Sequence, residues 1–277
     1  MTGEGLLVSI AKIAAGVAIG LPLVMFLAQD ALIFFRQPLP EGRRAEVAKR
    51  FPAVEELSLA AADGTRIHAW RVSATGRAPL VLYFGGNAEE VSWMLEDIGD
   101  PARGATPGIG WLLVDYRGYG ASEGSPSEAA LAADALAWYD HAAKLPEVDP
   151  KRVYAFGRSL GSGVAVRLAA ERALAGVILV SPFDSLVEVG KRHYPFLPVR
   201  WMLRHRFDSV SRAPKIETPL LSFVAANDEI IPPEHSKRLY DAWAGPKRWV
   251  ELGGAGHNSV GGQQFWQNVR TFLAGAG

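Results

Sequence analysis

A serine between two glycines is the first candidate for chemistry in this chain. Residues 157–161 read Gly-Arg-Ser-Leu-Gly, and Ser159 follows the apolar run 152–157 and precedes a stretch rich in small residues. A serine between a strand and a helix lies on a sharp turn that exposes its hydroxyl, and nearby glycines avoid steric clashes there. The sequence therefore predicts that Ser159 is a nucleophile. A second match to this pattern surrounds Ser122, but it lies in a glycine-rich loop that no helix follows directly, which argues against Ser122.

A serine hydroxyl needs a base to remove its proton, and His257 is the predicted base. It lies in the sequence Gly-Gly-Ala-Gly-His-Asn, after the last predicted strand, where its glycine neighbours let the imidazole approach Ser159. The remaining histidines are interpreted as surface or capped residues: His68, His141, His193, His205 and His235.

The predicted base needs a carboxylate on its second ring nitrogen, which orients the imidazole and stabilises its positive charge. Asp228 follows the apolar strand 219–226 and precedes His257 in the chain, so we predict that it is this carboxylate. Asp184, in the sequence Ser-Pro-Phe-Asp after the preceding strand, is the competing candidate. Chain order and strand position both favour Asp228.

Attack of a serine on a carbonyl group creates an oxyanion, which preorganised N–H groups stabilise. The backbone N–H of Leu160 is one candidate donor, because it directly follows Ser159 at a helix N-terminus. The other is Asn87, in a Gly-Gly-Asn loop after the strand 79–84, where the two glycines permit a close approach of the backbone. The alternative for the two glycines is an ordinary turn between a strand and a helix.

The elements that would position these residues follow from the hydrophobic pattern. From residue 55 onward, short apolar runs alternate with helical patterns, which predicts an α/β fold: a mainly parallel central sheet with helices on both faces. A turn at Asp63-Gly64 predicts an antiparallel hairpin at the start of the sheet. The predicted strands are 56–61, 65–72, 79–84, 110–116, 152–157, 176–181, 219–226 and 248–253, and the predicted helices are 127–145, 160–174, 233–243 and 263–273.

One segment interrupts this alternation. Residues 183–214 contain prolines and aromatic residues between two predicted strands, which favours a short lid insertion over the carboxyl ends of the strands. We therefore predict one domain over residues 50–277 with a lid at about 183–214.

The chain begins with an apolar segment. Residues 5–28 are apolar apart from Ser9 and Lys12, and a second apolar run follows at 31–35. At 1.5 Å per residue, a helix of this length matches the roughly 30 Å hydrocarbon thickness of a bilayer. The expectation is a single-pass membrane anchor over residues 1–36, with a cleaved signal peptide and a buried core helix as alternatives. Basic residues after the span favour a cytoplasmic location for the rest of the chain: Arg36, Arg43, Arg44, Lys49 and Arg50. Lys12 and the α-amino group favour the opposite orientation if the span begins at Ile13, so the sequence leaves the side of the membrane open.

Composition excludes several classes of protein. The 277 residues are 49% hydrophobic, include 29 basic and 29 acidic side chains, and contain no cysteine. Such a chain can bury a large core, which excludes a disordered, collagen-like or coiled-coil protein. The balanced charge gives no basic surface for nucleic acid, and the absence of cysteine excludes a disulfide scaffold and a thiol nucleophile. No metal-ligand cluster or dinucleotide-binding fingerprint occurs in the sequence, so we expect neither a metal nor a cofactor, and the oligomeric state is not predicted.

Taken together, the motifs resemble the α/β-hydrolase superfamily. More narrowly, the chain is similar to the membrane-anchored, ABHD-like branch of serine hydrolases, and this similarity extends from about residue 30 to the end. The motifs that carry it are, in chain order, a strand followed by GGN, then DYRGYGASEG, GRSLGSG, AANDEIIPP and GAGHNS. The resemblance implies a triad of Ser159, Asp228 and His257 and an oxyanion hole at Asn87 and Leu160. Some members place the acid at the position corresponding to Asp184. Many relatives have His-Gly-Asn where this chain has Gly-Gly-Asn, which leaves the backbone donor in place.

The resemblance implies hydrolysis of carboxylic esters or thioesters through an acyl-enzyme intermediate. The apolar N-terminal segment and the aromatic residues of the lid favour an acyl or lipid-like substrate, presented at a membrane. Two alternatives remain: a serine peptidase or amidase of the prolyl-aminopeptidase type, which would carry a larger cap with acidic residues, and a non-catalytic, membrane-anchored protein that keeps the fold without the chemistry.

Overall fold

An eight-stranded sheet forms the centre of the fold. The structure is a computed structural model, and it describes residues 3–100, 104 and 106–275. The strands are β1 (Val54–Ala60), β2 (Arg66–Val72), β3 (Ala78–Phe84), β4 (Gly110–Val114), β5 (Val148–Arg158), β6 (Gly176–Val180), β7 (Leu220–Ala225) and β8 (Lys247–Leu252). Their order in the sheet is β1-β2-β4-β3-β5-β6-β7-β8. Strand β2 is antiparallel to β1 and to β4, and all other neighbouring strands are parallel, which confirms the predicted α/β fold with a hairpin at its start.

Helices cover both faces of this sheet. The helices are α1 (Gly3–Ile33), α2 (Arg43–Arg50), α3 (Met94–Ile98), α4 (Glu128–Ala142), α5 (Leu160–Glu171), α6 (Leu186–His193), α7 (Val199–Met202), α8 (Pro233–Ala242) and α9 (Gly262–Leu273). Residues of α4, α5 and α8 join the apolar cluster on one face, and residues of α2, α3 and α9 join the cluster on the other. Strands β3, β4, β6 and β7 are buried along their whole length, because a parallel sheet between two helical layers has no solvated face.

The predicted lid is an insertion between β6 and β7 and contains helices α6 and α7. Ser185 caps α6, because its side chain accepts a hydrogen bond from the backbone N–H of Glu188. Two aromatic side chains of this insertion face solvent: Phe196 is 70% exposed and Trp201 is 85% exposed. Helices α6 and α7 therefore lie within the segment at about 183–214 where the sequence predicts a lid.

A tight turn joins β5 to α5. The single residue between them, Ser159, has a φ of +50°, a conformation that non-glycine residues rarely adopt. Two neighbouring glycines allow the chain to bend there. A Cβ atom at Gly161 would lie 2.1 Å from the carbonyl oxygen of Phe84, and one at Gly157 would lie 2.3 Å from the carbonyl oxygen of Gly161. Both positions therefore require glycine because a backbone carbonyl occupies the space of a side chain.

The N-terminal helix does not meet the expectation of a membrane anchor. Over the residues that the structure describes, no helix combines the length and apolar character needed to cross a bilayer. The expected single-pass anchor over residues 1–36, the membrane location and its cytoplasmic side are therefore wrong. The last turns of α1 contact protein instead: Gln29 donates to the carbonyl oxygen of Met202 and accepts from the N–H of Arg204, and Asp30 lies 2.9 Å from the His205 ring.

Residues 34–49, which precede the predicted start of the domain, pack against its body. Phe34 is 2% exposed, and its ring contacts those of His205 and Phe207 in the lid insertion. Farther along, the Arg43 guanidinium is buried and donates to the hydroxyl and the carbonyl oxygen of Ser92. The segment between α1 and β1 is thus tied to two distant parts of the chain.

The contact at Gly161 predicts a large effect of a small substitution. We expect Gly161→Ala to lower the free energy of unfolding by about 3 kcal/mol or more, because the added methyl group must displace backbone atoms of β3. Thermal unfolding followed by tryptophan fluorescence should then show a melting temperature lower by roughly 6–10 °C.

Gly253→Ala is the matched control, since a Cβ there would meet no atom within 4 Å and the backbone is not left-handed. Its melting temperature should stay close to that of the wild type. Equal melting temperatures for the two variants would contradict the proposed role of the contact.

Candidate active site

Three of the predicted site residues are joined by hydrogen bonds at the carboxyl edge of the sheet. Ser159 follows β5, Asp228 follows β7 and His257 follows β8. The Ser159 Oγ lies 2.9 Å from His257 Nε2, and His257 Nδ1 lies 2.8 Å and 3.0 Å from the two carboxylate oxygens of Asp228. The carboxyl ends of parallel strands meet at one edge of a sheet, which is why residues far apart in the chain converge here.

Asp228 is a buried carboxylate with a complete set of donors. It is 4% exposed, and Oδ1 accepts hydrogen bonds from the backbone N–H groups of Ile230 and Ile231 at 3.0 Å and 2.7 Å. Burial by itself raises the pKa of this carboxyl. The hydrogen bonds from His257 and Ile231 outweigh that effect and hold the pKa of Asp228 below its ordinary value. The group is therefore an anion at neutral pH and orients the His257 ring.

The competing carboxylate, Asp184, is bonded to other residues. Its Oδ1 lies 2.8 Å from His235 Nδ1, and its Oδ2 accepts from Arg238 Nε at 2.6 Å. Burial raises the pKa of Asp184, and the hydrogen bonds from His235 and Arg238 lower it by more, so the pKa lies below its ordinary value. His235 is 2% exposed, in contrast to the surface interpretation of its sequence.

Ser122, in the second Gly-x-Ser-x-Gly match, is part of a buried hydrogen-bond cluster. Its hydroxyl donates to the carbonyl oxygen of Asp115 and accepts from the N–H of His68. His68 is itself 4% exposed and has Nδ1 2.7 Å from an Asp115 carboxylate oxygen. These bonds support the loop that leads from β4, and they leave Ser122 without contact to the edge where Ser159 lies.

The two predicted oxyanion donors line the same cavity as Ser159. Among the described residues, no group accepts a hydrogen bond from the backbone N–H of Asn87 or of Leu160. By contrast, the N–H of Gly86 donates to Glu89 Oε2 at 2.7 Å. Asn87 and Leu160 therefore keep N–H groups that are available to a negatively charged oxygen near Ser159.

Residues that the sequence analysis did not identify hold the Gly-Gly-Asn loop in place. Glu89 also accepts a hydrogen bond from the hydroxyl of Tyr83, and the hydroxyl of Tyr116 donates to the carbonyl oxygen of Gly85. Burial, followed by the nearby charge of Glu89, raises the pKa of Tyr83, so its hydroxyl remains a donor. No local sequence pattern distinguishes these side chains, because their partners lie on a loop and on neighbouring strands that only folding brings together.

A cavity of about 290 Å³ opens beside Ser159. Its walls come from the last turns of α1, from the lid helices and from the loop after β7. Apart from a few polar groups, the walls are aliphatic and aromatic: Met25, Phe26, Leu32, Ile33, Leu160, Phe183, Leu186, Val189, Tyr194, Leu197, Val199, Met202, Leu203, Ile230 and Ile231. The role of α1 as a wall was not predicted, although its apolar sequence and the run 31–35 carry the signal.

This arrangement has the parts that acyl transfer requires. A hydroxyl beside an imidazole, which is itself bonded to a buried carboxylate, can lose its proton as it attacks a carbonyl carbon. Two free N–H groups at the same edge can stabilise the oxyanion that results. Over the part of the chain that the structure describes, no three His, Asp or Glu side chains are grouped as metal ligands.

Comparisons with known proteins agree with the fold. The sequence model of a hydrolase family, described as serine aminopeptidase, S33, matches residues 79–207. Among curated proteins, the uncharacterized protein Rv2307c of Mycobacterium tuberculosis is 38% identical over 269 residues, which cover 95% of this chain and 94% of that protein. The lysophosphatidylserine lipase ABHD12 of Danio rerio is 34% identical over 189 residues, which cover 61% of this chain and 48% of that protein.

A solved structure shares the fold. The acetyl xylan esterase from Paenibacillus sp. R4 superposes with a TM-score of 0.65 over 82% of this chain and 85% of that protein, at 21% sequence identity. At this identity the likeness concerns the arrangement of strands and helices.

The lowered pKa values of Asp184 and Asp228 predict the acid sensitivity of the fold. A carboxyl whose pKa is lowered by folding stabilises the protein fully above its unfolded value of about 3.9, and this contribution is lost as the pH falls through the folded value. We therefore expect the free energy of unfolding in urea to fall below about pH 4 and to fall less steeply in Asp184→Asn, which has no titrating group there.

Asp149→Asn serves as the control, because Asp149 forms no ion pair among the described residues and only accepts from the N–H of Lys151. It should reproduce the acid dependence of the wild type. If Asp184→Asn also shows the acid dependence of the wild type, the inference that folding lowers the pKa of Asp184 is wrong.

Proposed function

Since the chain belongs to the α/β-hydrolase superfamily, in its ABHD-like branch of esterase and lipase-type hydrolases, we propose that it is a serine hydrolase that cleaves carboxylic esters or thioesters with an acyl or lipid-like chain. The observation that carries this proposal is the hydrogen-bond chain from Ser159 through His257 to Asp228 beside an apolar cavity. The relative named as a lysophosphatidylserine lipase supports the ester class of substrate.

The first half of the proposed reaction transfers the acyl group to the enzyme. Ser159 Oγ attacks the carbonyl carbon of the substrate while His257 Nε2 takes its proton, and Asp228 stabilises the imidazolium. The backbone N–H groups of Asn87 and Leu160 donate to the oxyanion of the tetrahedral intermediate. As the intermediate collapses, His257 donates its proton to the leaving alcohol or thiol, and the acyl group stays on Ser159.

The second half releases the acid. A water molecule attacks the carbonyl carbon of the acyl-enzyme, and His257 accepts the proton that this water loses. The second tetrahedral intermediate collapses by breaking the bond to Ser159 Oγ, which takes the proton back from His257. The products are a carboxylic acid and the free serine, so the cycle consumes one water molecule and regenerates the three side chains.

The cavity supports an acyl-chain substrate. A hydrocarbon chain gains about 25 cal/mol per Å² of apolar surface that it removes from water, and the cavity walls are almost entirely apolar. The polar side chains among its lining residues are Gln29, Asn87, Ser159, His193 and the hydroxyl of Tyr194, and the nucleophile and the predicted donor residues Asn87 and Leu160 line this same cavity.

The peptidase alternative finds less support in this cavity. An aminopeptidase binds the ammonium group of its substrate, and a buried ammonium needs a carboxylate partner. Among the described residues that line the cavity, none is aspartate or glutamate. Ester hydrolysis therefore remains the proposal, although the matching family model takes its name from a serine aminopeptidase.

Activity-based labelling tests the nucleophile. We expect a fluorophosphonate probe to label the wild type and not Ser159→Ala, and we expect turnover of p-nitrophenyl acyl esters to fall by about 10⁵- to 10⁶-fold, because the alcohol that forms the acyl-enzyme is gone. Turnover should increase along a series from acetate toward longer chains that fill the apolar cavity, and matched amides should be poor substrates.

Ser122→Ala is the matched control, since this serine lies in the second Gly-x-Ser-x-Gly match and belongs to a different cluster. It should retain both labelling and turnover. If the wild type shows neither labelling nor turnover at any chain length, the proposal is wrong. If the wild type prefers the amide over the matched ester, the peptidase alternative is favoured.

A pair of isosteric substitutions tests the acid. Asp228→Asn should reduce kcat by about 10³- to 10⁴-fold, because a neutral amide neither fixes the tautomer of His257 nor stabilises its positive charge. Asp184→Asn should leave kcat within about twofold of the wild type, since its partners are His235 and Arg238. Circular dichroism checks that both variants fold. The opposite pattern, with Asp184→Asn inactive and Asp228→Asn active, would show the assignment to be wrong.

A further inference from the structure

The side chain of Asn87 is held by groups from two distant parts of the chain. Its amide oxygen accepts a hydrogen bond from the backbone N–H of Phe35 at 2.9 Å and one from the hydroxyl of Tyr119, also at 2.9 Å. The N–H of the next residue, Ala88, lies 3.0 Å from the same oxygen. A backbone N–H can only donate, so the oxygen of the amide, and not its nitrogen, must face Phe35. The orientation of the Asn87 side chain is therefore determined.

Both distant donors are themselves rigidly held. Tyr119 is 1% exposed and packs edge-to-face on Tyr116, with ring centroids 5.7 Å apart. Burial raises the pKa of the Tyr119 hydroxyl well above its ordinary value, so the hydroxyl remains protonated and able to donate. Backbone hydrogen bonds join the loop that follows to the segment after α1. The N–H of Gly120 donates to the carbonyl oxygen of Gln37, and the carbonyl oxygen of Gly120 accepts from the N–H of Leu39.

Phe35 is fixed from both sides. The residue before it, Phe34, is buried between α1 and the lid insertion, and Gln37 and Leu39 pair with Gly120. Phe35 itself is exposed, so its contribution to the site is the backbone N–H and not the ring. The segment after α1 therefore presents this donor to the Gly-Gly-Asn loop at a set position.

We propose that Tyr119, together with the backbone N–H of Phe35, positions the oxyanion hole by holding the amide oxygen of Asn87. The inference rests on the proposed function, in which the backbone N–H of Asn87 stabilises the oxyanion. A rotation of Asn87 away from Ser159 breaks both long-range hydrogen bonds, so these bonds keep the N–H aimed before a substrate arrives. Such preorganisation stabilises the transition state more than it stabilises the bound substrate.

Removal of one hydroxyl group tests this inference. We expect Tyr119→Phe to lower kcat for a p-nitrophenyl ester by about tenfold, which corresponds to about 1.4 kcal/mol, while KM stays within about twofold. The rate at which a fluorophosphonate labels Ser159 should fall in parallel, because the phosphonyl oxygen uses the same donors. A general loss of packing does not produce this division between kcat and KM.

Tyr139→Phe is the matched control. Tyr139 is also buried, and its hydroxyl donates to the carbonyl oxygen of Ala173, away from the site. This variant loses one buried hydrogen bond of the same kind, so thermal unfolding of the two variants calibrates the structural cost, while kcat of Tyr139→Phe should stay at the wild-type value.

A double-mutant cycle identifies the bond itself. Asn87→Ala removes the acceptor and keeps the backbone N–H, so Tyr119→Phe should cause no further loss of kcat in that background. Independent, additive losses would overturn the inference, as would a Tyr119→Phe variant with wild-type kcat. If the wild type neither hydrolyses esters nor reacts with the probe, the proposed function is wrong and this inference falls with it. An active wild type with an unaffected Tyr119→Phe variant contradicts this inference alone.

Discussion

The close approach of the turn at Ser159 to the end of β3 governs the geometry of the site. No side chain fits at Gly161, because the carbonyl oxygen of Phe84 lies where a Cβ would be. This contact brings the N-terminus of α5 against the loop that contains Asn87. The turn at Ser159 and the Gly-Gly-Asn loop, which belong to two separate crossovers of the sheet, are therefore neighbours. The strained φ of Ser159 is maintained because packing on both sides leaves no alternative.

Charge around the site is organised in separate buried pairs of histidine and carboxylate. His257 pairs with Asp228, His235 with Asp184, and His68 pairs with a carboxylate after β4. Each pair satisfies groups that would be costly to bury alone. The distinction between them is positional: only the pair on the loops after β7 and β8 reaches the nucleophile. The other two fasten the lid-side helix α8 and the loop after β4 to the sheet.

The N-terminal segment completes the hydrolase domain in two ways. The last turns of α1 form a wall of the apolar cavity, and polar residues between the apolar ones, Gln29 and Asp30, bond to the lid insertion. The residues that follow pair with the loop after β4 and donate to Asn87. The apolar cavity and the Gly-Gly-Asn loop therefore share a support that lies far from both in the chain.

Local pattern was sufficient for much of this description. The α/β fold, its hairpin and the candidate triad follow from the sequence, because they depend on properties of short stretches. These properties are the periodicity of apolar residues in strands and helices, the glycines around Ser159, and the positions of Asp228 and His257 directly after strands. Other features depend on which elements become neighbours. The same apolar run serves equally well in a bilayer or against a lid, and Asp184 and Asp228 both follow strands. Only the packed sheet and its crossovers, by fixing distances between segments remote in the chain, distinguish these cases and bring Tyr119 and Phe35 to Asn87.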